Sequence, residues 1–265
     1  MGAVSKCRPL LLCTLGKLNF PNWVYHKVAM RIEPFGVGSV LHVTNRGVRG
    51  ANIVCDDDDR ARFERSLYYL NDTYADPYWH RVVADIPAYS RPGDWPEREP
   101  VVRILAWTLL SNHFHLLLQE IREGGISKFM QRFGGSLSTC FNAKYQVQGS
   151  LFQGSYRARL VSQDEHRQYL IFYVLIKNVL EMYPGGLSTA YADFDRAWEW
   201  AVQYPHSSLI NCVSGNPSPI VDDPENLIGD FIGANRAYKK EAREMLGYYL
   251  QSKGEEFEDL MLESW

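Results

Sequence analysis

The apolar positions of the chain change their spacing several times, which predicts a mixture of strands and helices. An apolar stretch from Val37 to Val43 predicts a first strand that ends at Asn45-Arg46-Gly47. The acidic run Asp56 to Asp59 is typical of a capped helix start, although four adjacent acids could also hold a metal ion. Three apolar residues then recur at helical spacing: Phe63, Leu67 and Leu70.

The middle of the chain predicts two further strands and a loop before them. The proline-rich segment Ile86 to Pro100 indicates an exposed loop. Two apolar runs follow, "VVRILAWTLL" and "HFHLLLQE", separated by Ser111-Asn112. They predict either a pair of strands or one long strand with a kink.

Helical spacing dominates the second half of the chain. The segment after Gly124 has helical spacing despite an interruption at Gly134-Gly135, and "LFQGSYRARLV" predicts a strand or an extended loop. The segment "DEHRQYLIFYVLIKNVLEMY" predicts a long helix that Pro184 and two glycines end. Beyond it we expect an aromatic helix near Trp198, a loop around residues 211–226 and a final helix over about 233–250. Residues 1–29 show no clear period.

Composition and charge narrow the class of protein only slightly. The chain has 265 residues, of which 46% are hydrophobic, as in ordinary globular proteins. Five irregularly spaced cysteines without a Cys-x-x-Cys pair argue against a disulfide framework or a zinc knuckle and favour a reducing, cytoplasmic environment. The apolar run from Pro9 to Leu15 is too short to span a bilayer, so we expect no membrane partner.

The net charge of −3 argues weakly against a nucleic-acid partner, but the charges are unevenly distributed. Residues 125–183 carry seven Lys and Arg against three acids, whereas residues 184–265 carry six against fourteen. A basic middle segment is compatible with a local phosphate-binding face. Solvated faces that merely differ in composition are the alternative.

Two histidines stand out in "SNHFHLLL" because they lie in an otherwise apolar strand. Alternate side chains of a strand point to the same face, so His113 and His115 would lie side by side. Phe114 and Leu116 would then occupy the opposite, core face. The pair could bind a metal ion or could be two satisfied histidines, and the spacing alone does not distinguish these possibilities.

Several motifs in order along the chain resemble those of single-tyrosine HUH transposases, a family that includes the REP-associated tyrosine transposases. The resemblance covers about residues 31–210 and rests on "LHVTNRG", "SNHFHLLL", "GSLFQGSYRARLV", a helix that carries Tyr173, and "YPHSSL". It implies an α+β fold with a small antiparallel sheet flanked by helices. It also implies a catalytic domain over residues 30–188, between an N-terminal extension (1–29) and an acidic helical C-terminal region (189–265).

The resemblance implies a metal-dependent enzyme that nicks and joins single-stranded DNA at hairpin-bearing ends. His113 and His115 would bind Mg²⁺ or Mn²⁺ with a third polar ligand; imidazole suits Mn²⁺ better, whereas cellular availability favours Mg²⁺. Tyr173 would attack the scissile phosphate and form a 5′-phosphotyrosine intermediate. Some relatives act as dimers that exchange their tyrosine helices, so a homodimer is possible. Tyr169, one turn earlier, is the competing nucleophile.

The chain departs from the family pattern at the third metal ligand. The relatives usually place Asn or Gln four residues after the tyrosine, and here that residue is Lys177. In a regular helix Lys177 would lie within about 40° of Tyr173, whereas Asn178 would lie about 140° away. Lys177 could instead neutralise the phosphate or stabilise the phenolate. A π-bulge could bring Asn178 inward, and His166 shares the face of Tyr173, so three alternatives stay open for the third ligand: Asn178, His166 or none.

Other motif residues are candidates for binding DNA. Arg157 and Arg159 alternate along one predicted strand, and Arg46 and Arg49 follow the first strand; all four could contact phosphates or could be ordinary exposed charges. For three further sites a structural role is a more common explanation than DNA binding. They are Phe152 with Tyr156, Gln153-Gly154, and Ser207-Ser208, the last as a cap.

Two other functions compete with transposition. A hairpin-binding protein that has lost strand transfer would explain Lys177 and the acidic net charge. A metal-dependent hydrolase would use activated water and would not need Tyr173.

Overall fold

A small antiparallel sheet organises the protein, which we describe from a computed structural model. The structure describes residues 34–161, 164–232 and 236–252, so the N-terminal extension predicted over residues 1–29 lies outside the described residues. Within these ranges one sheet has the strand order β2-β3-β1-β4. The strands are β1 (Val40–Arg46), β2 (Val102–Leu109), β3 (His113–Glu120) and β4 (Arg157–Leu160). The predicted α+β class, with a small antiparallel sheet flanked by helices, is confirmed.

The two central strands are paired along their whole length. Leu41 lies opposite Leu118 and Thr44 lies opposite His115, so β1 and β3 share one register from end to end. Strand β1 begins at Val40 rather than at the predicted Val37, because Gly38 adopts a positive φ of 92° and turns the chain before it enters the sheet.

Strands β2 and β3 form a tight hairpin, which settles the choice between a strand pair and a kinked strand. The Leu110 N–H donates to the His113 carbonyl across the turn Ser111-Asn112. The carbonyls of both turn residues accept bonds from the segment after β1, including one from the Gly47 N–H at 2.8 Å. The turn is therefore fixed against the end of β1, beside the first residues of β3.

Helices cover both faces of the sheet. On one face α1 and α3 pack on a core that contains Leu41, Phe114 and Leu116. On the other face a long helix, which carries Tyr173, packs on Leu105 and Leu117. The helices are α1 (Asp57–Tyr69), α2 (Trp79–Val82), α3 (Gly125–Tyr145), α4 (Asp164–Phe172), α5 (Asn178–Glu181), α6 (Gly186–Ala192), α7 (Phe194–Val202), α8 (Leu209–Ser214), α9 (Gly229–Ile232) and α10 (Arg236–Ser252).

Helix α1 begins where the acidic run predicts. The side chain of Asp56 accepts a hydrogen bond from the Asp59 N–H, which satisfies one free amide of the first turn. Lys144 from the end of α3 lies between these two carboxylates, with its Nζ 2.6 Å from Asp56 Oδ1 and 2.8 Å from Asp59 Oδ1. The acids therefore cap α1 and join it to α3 rather than forming a metal site.

Helix α3 continues through Gly134-Gly135 without the predicted interruption. A side chain at Gly135 would meet open space, and one at Gly134 would only touch Phe152, so the local packing tolerates two glycines in the helix interior.

The C-terminal helices share a core with the Tyr173 helix. Buried side chains of this region, including Phe194, Leu209 and Leu246, pack in the same cluster as Tyr173 and Leu117. The predicted aromatic helix is α7, but the expected loop around 211–226 begins later, because α8 continues to Ser214. None of the helices in the described ranges combines the length and hydropathy that a bilayer crossing requires.

Replacing Lys144 with Met should lower the melting temperature at neutral pH. The hydrogen bond from Lys144 is the largest cause of the lowered pKa of Asp56, so this stabilisation is present above the ordinary value of 3.8 and is lost as the pH falls through the folded-state pKa. The difference in melting temperature between wild type and Lys144→Met should therefore shrink below about pH 3.8. Lys128→Met, at an exposed position of the same helix, is the control. A difference that is constant with pH would contradict this role.

Candidate active site

The first residues of β3 bring two imidazoles together. The ring centroids of His113 and His115 are 5.0 Å apart and their planes are nearly perpendicular, at 85°. His115 is fully buried, whereas His113 is partly exposed. Phe114, between them in sequence, packs into the opposite core against Phe63 and Phe133. Both imidazoles therefore lie on the face of the sheet that the Tyr173 helix covers.

A third histidine, which the sequence analysis did not single out, lies beside this pair. His42 of β1 is fully buried, and its Nε2 lies 2.9 Å from His115 Nδ1. The two rings are stacked, with centroids 5.2 Å apart. Alternation along "LHVTNRG" places His42 on the same face as Thr44, but only the pairing of β1 with β3 brings this face to His115.

The hydrogen bonds of the histidine pair fit the divalent ion that the family resemblance implies. His113 Nδ1 lies 2.6 Å from Asn112 Oδ1, which can only accept, so Nδ1 carries the proton and Nε2 holds the lone pair. His115 Nδ1 is bonded to His42, so Nε2 is again the nitrogen that could bind a metal ion. Metal-binding histidines commonly have their second nitrogen held in this way.

The described side chains contain no group of three His, Cys, Asp or Glu that could hold a metal ion. The side chain of His166, one of the two predicted candidates, lies outside the described residues.

Tyr173 lies directly against the histidines. Its side chain is fully buried, and its ring meets His115 edge-on at a centroid distance of 5.4 Å and His42 at 6.3 Å. Tyr169, the competing candidate, is stacked on Tyr173 at 6.3 Å and also contacts Phe172. The structure therefore places the ring of Tyr173 between Tyr169 and His115.

The helix is not regular at this point, and this changes the predicted positions of its side chains. Residues Tyr173–Lys177 form a π turn, in which the Asn178 N–H donates to the Tyr173 carbonyl. A π turn contains one more residue than an α turn, so Asn178 returns to the side of Tyr173 although it is five residues away. Asn178 is fully buried, and its Nδ2 has no hydrogen-bond partner among the described residues.

Lys177 is buried beside both residues. Its Nζ lies 4.8 Å from the ring centroid of Tyr173 and 3.3 Å from Asn178 Oδ1. It also forms an ion pair with Glu181, with an Nζ–Oε1 distance of 3.1 Å. A buried ammonium needs such partners, because an unpaired charge is costly away from water. The Lys177 ammonium therefore lies over the ring of Tyr173 and also engages the amide oxygen of Asn178.

A buried hydroxyl of β2 holds the π turn in place. Thr108 Oγ1 donates to the Val174 carbonyl at 2.7 Å and lies 3.2 Å from Ser207 Oγ. Ser207 also accepts a bond from the N–H of Leu209, the first residue of α8, whereas Ser208 at the N-cap position makes no side-chain capping bond. The next residue, Ser208, accepts from the Trp107 N–H. The serine pair therefore holds the start of α8 against β2.

Three of the four predicted DNA-binding arginines belong to the same face of the sheet as the histidines. Arg46 lies directly opposite His113, and Arg157 lies opposite Thr44, which in turn lies opposite His115. Directly paired residues of antiparallel strands project to the same side. Arg159, two residues beyond Arg157, shares this side. All three are partly exposed.

Arg49 lies outside the sheet, unlike the other three arginines. It is in the 3-10 turn Val48–Gly50 with a positive φ of 54°, and it is exposed.

The "LFQG" segment anchors the end of β1. The Gln153 N–H donates to the Arg46 carbonyl, and the Gly154 carbonyl accepts from Asn45 Nδ2. Phe152 is buried in the core, as the more common explanation for it predicts. Tyr156 is half-buried at a cavity of about 350 Å³, with its hydroxyl 3.2 Å from Ser127 Oγ.

Comparison with known proteins shows which family this region is similar to. Residues 97–175 match the family model described as "Transposase IS200 like", a segment that includes His113, His115 and Tyr173. These residues are therefore similar to the IS200-like transposases. A solved structure of a REP-associated tyrosine transposase bound to a REP hairpin matches with a TM-score of 0.43 and 13% identity, covering 74% of this chain and 94% of that chain. No curated protein matches the chain.

Replacing Thr108 with Val should destabilise the protein by about 1–3 kcal/mol, because the isosteric change removes the donor to a buried carbonyl. Urea unfolding would measure this loss, with Thr139→Val at an exposed position of α3 as the control. Equal stabilities of the two variants would show that the Val174 carbonyl does not depend on Thr108.

Proposed function

We propose that the protein is a metal-dependent enzyme that nicks and joins single-stranded DNA at hairpin-bearing ends through a 5′-phosphotyrosine intermediate. The observation that carries this proposal is the contact between Tyr173 and His115, which lie 58 positions apart in the sequence yet meet at a ring-centroid distance of 5.4 Å. A nucleophile beside a histidine pair is the arrangement that this chemistry requires.

The reaction exchanges one phosphodiester bond for another. The Tyr173 oxygen forms a bond to phosphorus, and the bond from phosphorus to the 3′ oxygen breaks. The phenol loses one proton and the leaving 3′ oxygen gains one, so the proton count is unchanged. The reverse attack by a 3′-hydroxyl rejoins the strand without an external energy source. Because the Tyr173 side chain is fully buried, the side chains that cover it must move before a phosphate can reach the hydroxyl.

The residues of the chain have separate parts in this proposal. His113 and His115 would hold Mg²⁺ or Mn²⁺ through their Nε2 atoms, and the bound ion would withdraw charge from the scissile phosphate. Asn178 would supply an amide ligand from the π turn. Lys177 would stabilise negative charge at the phenol or phosphate.

The arginines would guide the DNA. Arg46, Arg157 and Arg159 lie on the catalytic face of the sheet, where they would contact phosphates along a single strand, and the exposed Arg49 would extend this contact. Phosphate contacts position DNA without reading its sequence, so recognition of the hairpin would need additional contacts. We place the enzyme in the cytoplasm, as a monomer or a homodimer.

One observation favours a second function, hairpin binding without strand transfer. Lys177 replaces the amide that the related enzymes usually carry, and its ammonium engages Asn178 Oδ1, the atom that a metal ion would need. A chain that kept this arrangement permanently could bind DNA but would have a weakened metal site.

Incubation with labelled single-stranded DNA and Mn²⁺, followed by a denaturing gel, separates the functions. A covalent adduct supports the transposase, cleavage without an adduct indicates a hydrolase, and binding without cleavage indicates the second function.

Replacing His113 or His115 with Ala should abolish cleavage and leave hairpin binding nearly intact, because binding affinity rests mainly on phosphate contacts elsewhere. Gel-shift titration and the cleavage assay measure the two properties on the same oligonucleotide. Metal-dependent cleavage at the wild-type rate by the double variant would rule out this metal site.

Replacing Tyr173 with Phe should abolish the covalent adduct and preserve the fold, because the change removes only the attacking oxygen. Lys177→Ala should slow adduct formation about ten- to a hundredfold, the value of one charge-assisted hydrogen bond of about 1.5–3 kcal/mol. Tyr169→Phe, one turn away, is the matched control and should retain the adduct. An adduct that survives in Tyr173→Phe but disappears in Tyr169→Phe would identify Tyr169 as the nucleophile.

A further inference from the structure

We infer that His42 is a positioning residue that fixes the ring of His115 for metal binding. This inference rests on the proposed function. Both side chains are fully buried, their nitrogens lie 2.9 Å apart, and their rings are stacked within 18° of parallel. A direct bond between two buried imidazoles holds both rings in one orientation, because rotation of either ring would break the bond.

The bond determines which nitrogen of His115 can bind an ion. If His115 binds through Nε2, its Nδ1 carries the proton and donates to His42 Nε2. His42 must then carry its own proton on Nδ1. The bond thus couples the tautomers of the two rings, and only one combination makes Nε2 of His115 a ligand.

Asn112 performs the same task for the other histidine of the pair. Its Oδ1 holds His113 Nδ1 at 2.6 Å, from the turn that precedes β3. The residues next to His115 in sequence are apolar and cannot bond its Nδ1, so this bond comes from His42 of the neighbouring strand β1. Each histidine of the pair therefore has its Nδ1 held by a different element of the fold.

The position of His42 also ties the metal site to the nucleophile. Its ring meets the Tyr173 ring at 6.3 Å and an angle of 74°, so one side chain contacts both the ligand and the attacking residue. Removing the imidazole would let the His115 ring turn and would change the packing of Tyr173. Loss of a residue that holds a metal-binding histidine typically weakens metal affinity 10- to 100-fold.

The test compares His42→Leu and His42→Gln in the full-length protein, with Mn²⁺ as the probe. Titration calorimetry without DNA measures Mn²⁺ affinity, and thermal unfolding checks that each variant is folded. His42→Leu should bind Mn²⁺ about 10- to 100-fold more weakly. His42→Gln should recover most of the affinity, because its side-chain amide can place an acceptor near the position of Nε2.

Thr44→Val is the matched control. Thr44 is equally buried on the same face of β1, but its hydroxyl donates to the Phe114 carbonyl rather than to a histidine ring. This variant should lose stability and keep its Mn²⁺ affinity. Unchanged affinity in folded His42→Leu, or no recovery in His42→Gln, would overturn the inference.

A failure of the inference about His42 can be distinguished from a failure of the proposed function. Absence of a DNA adduct in a wild-type protein that binds Mn²⁺ would count against strand transfer alone. Absence of Mn²⁺ binding by the wild type would overturn both.

Discussion

The register between β1 and β3 is the constraint on which the candidate active site depends. It sets Thr44 opposite His115 and Arg46 opposite His113, so groups from two strands that are far apart in sequence share one face. A slip of one residue would turn every side chain of a strand to the other face. The apolar residues on the reverse side, among them Leu41 and Leu116, prevent such a slip, because it would expose them to the polar site. Core packing on one face thus fixes the chemistry on the other.

The second requirement is a helix that presents its residues to this face, and the C-terminal region contributes to it. Thr108 connects the π turn to the sheet, and Ser207 connects Thr108 to the segment before α8. Helices beyond Tyr173 pack in the same core as the helix that carries it. The position of Tyr173 therefore depends on residues well outside the segment that matches the transposase family.

The sequence predicted those parts of the site that follow from local periodicity. The shared face of His113 and His115 follows from the period of two in a strand, and the capped start of α1 follows from Asp56 and its neighbours. The sequence did not predict the role of His42, because its contact with His115 depends on the pairing of β1 with β3, which no local pattern shows. The π turn was foreseen only as one alternative. Its residues "YVLIK" contain no glycine or proline, and the bond from Thr108 that accompanies it comes from a distant strand.

The π turn also affects how related sequences should be compared. Such a turn is equivalent to one residue inserted into a regular helix, and the insertion moves an amide from the fourth position after the tyrosine to the fifth. A gap-free alignment sets Lys177 against the amide of the relatives and gives the impression of a decayed site. Under the proposed function, a single gap in the relatives opposite residues 173–177 would set Asn178 against that amide. A homologue with a non-amide residue at the fourth position should be aligned with such a gap before its third metal ligand is described as lost.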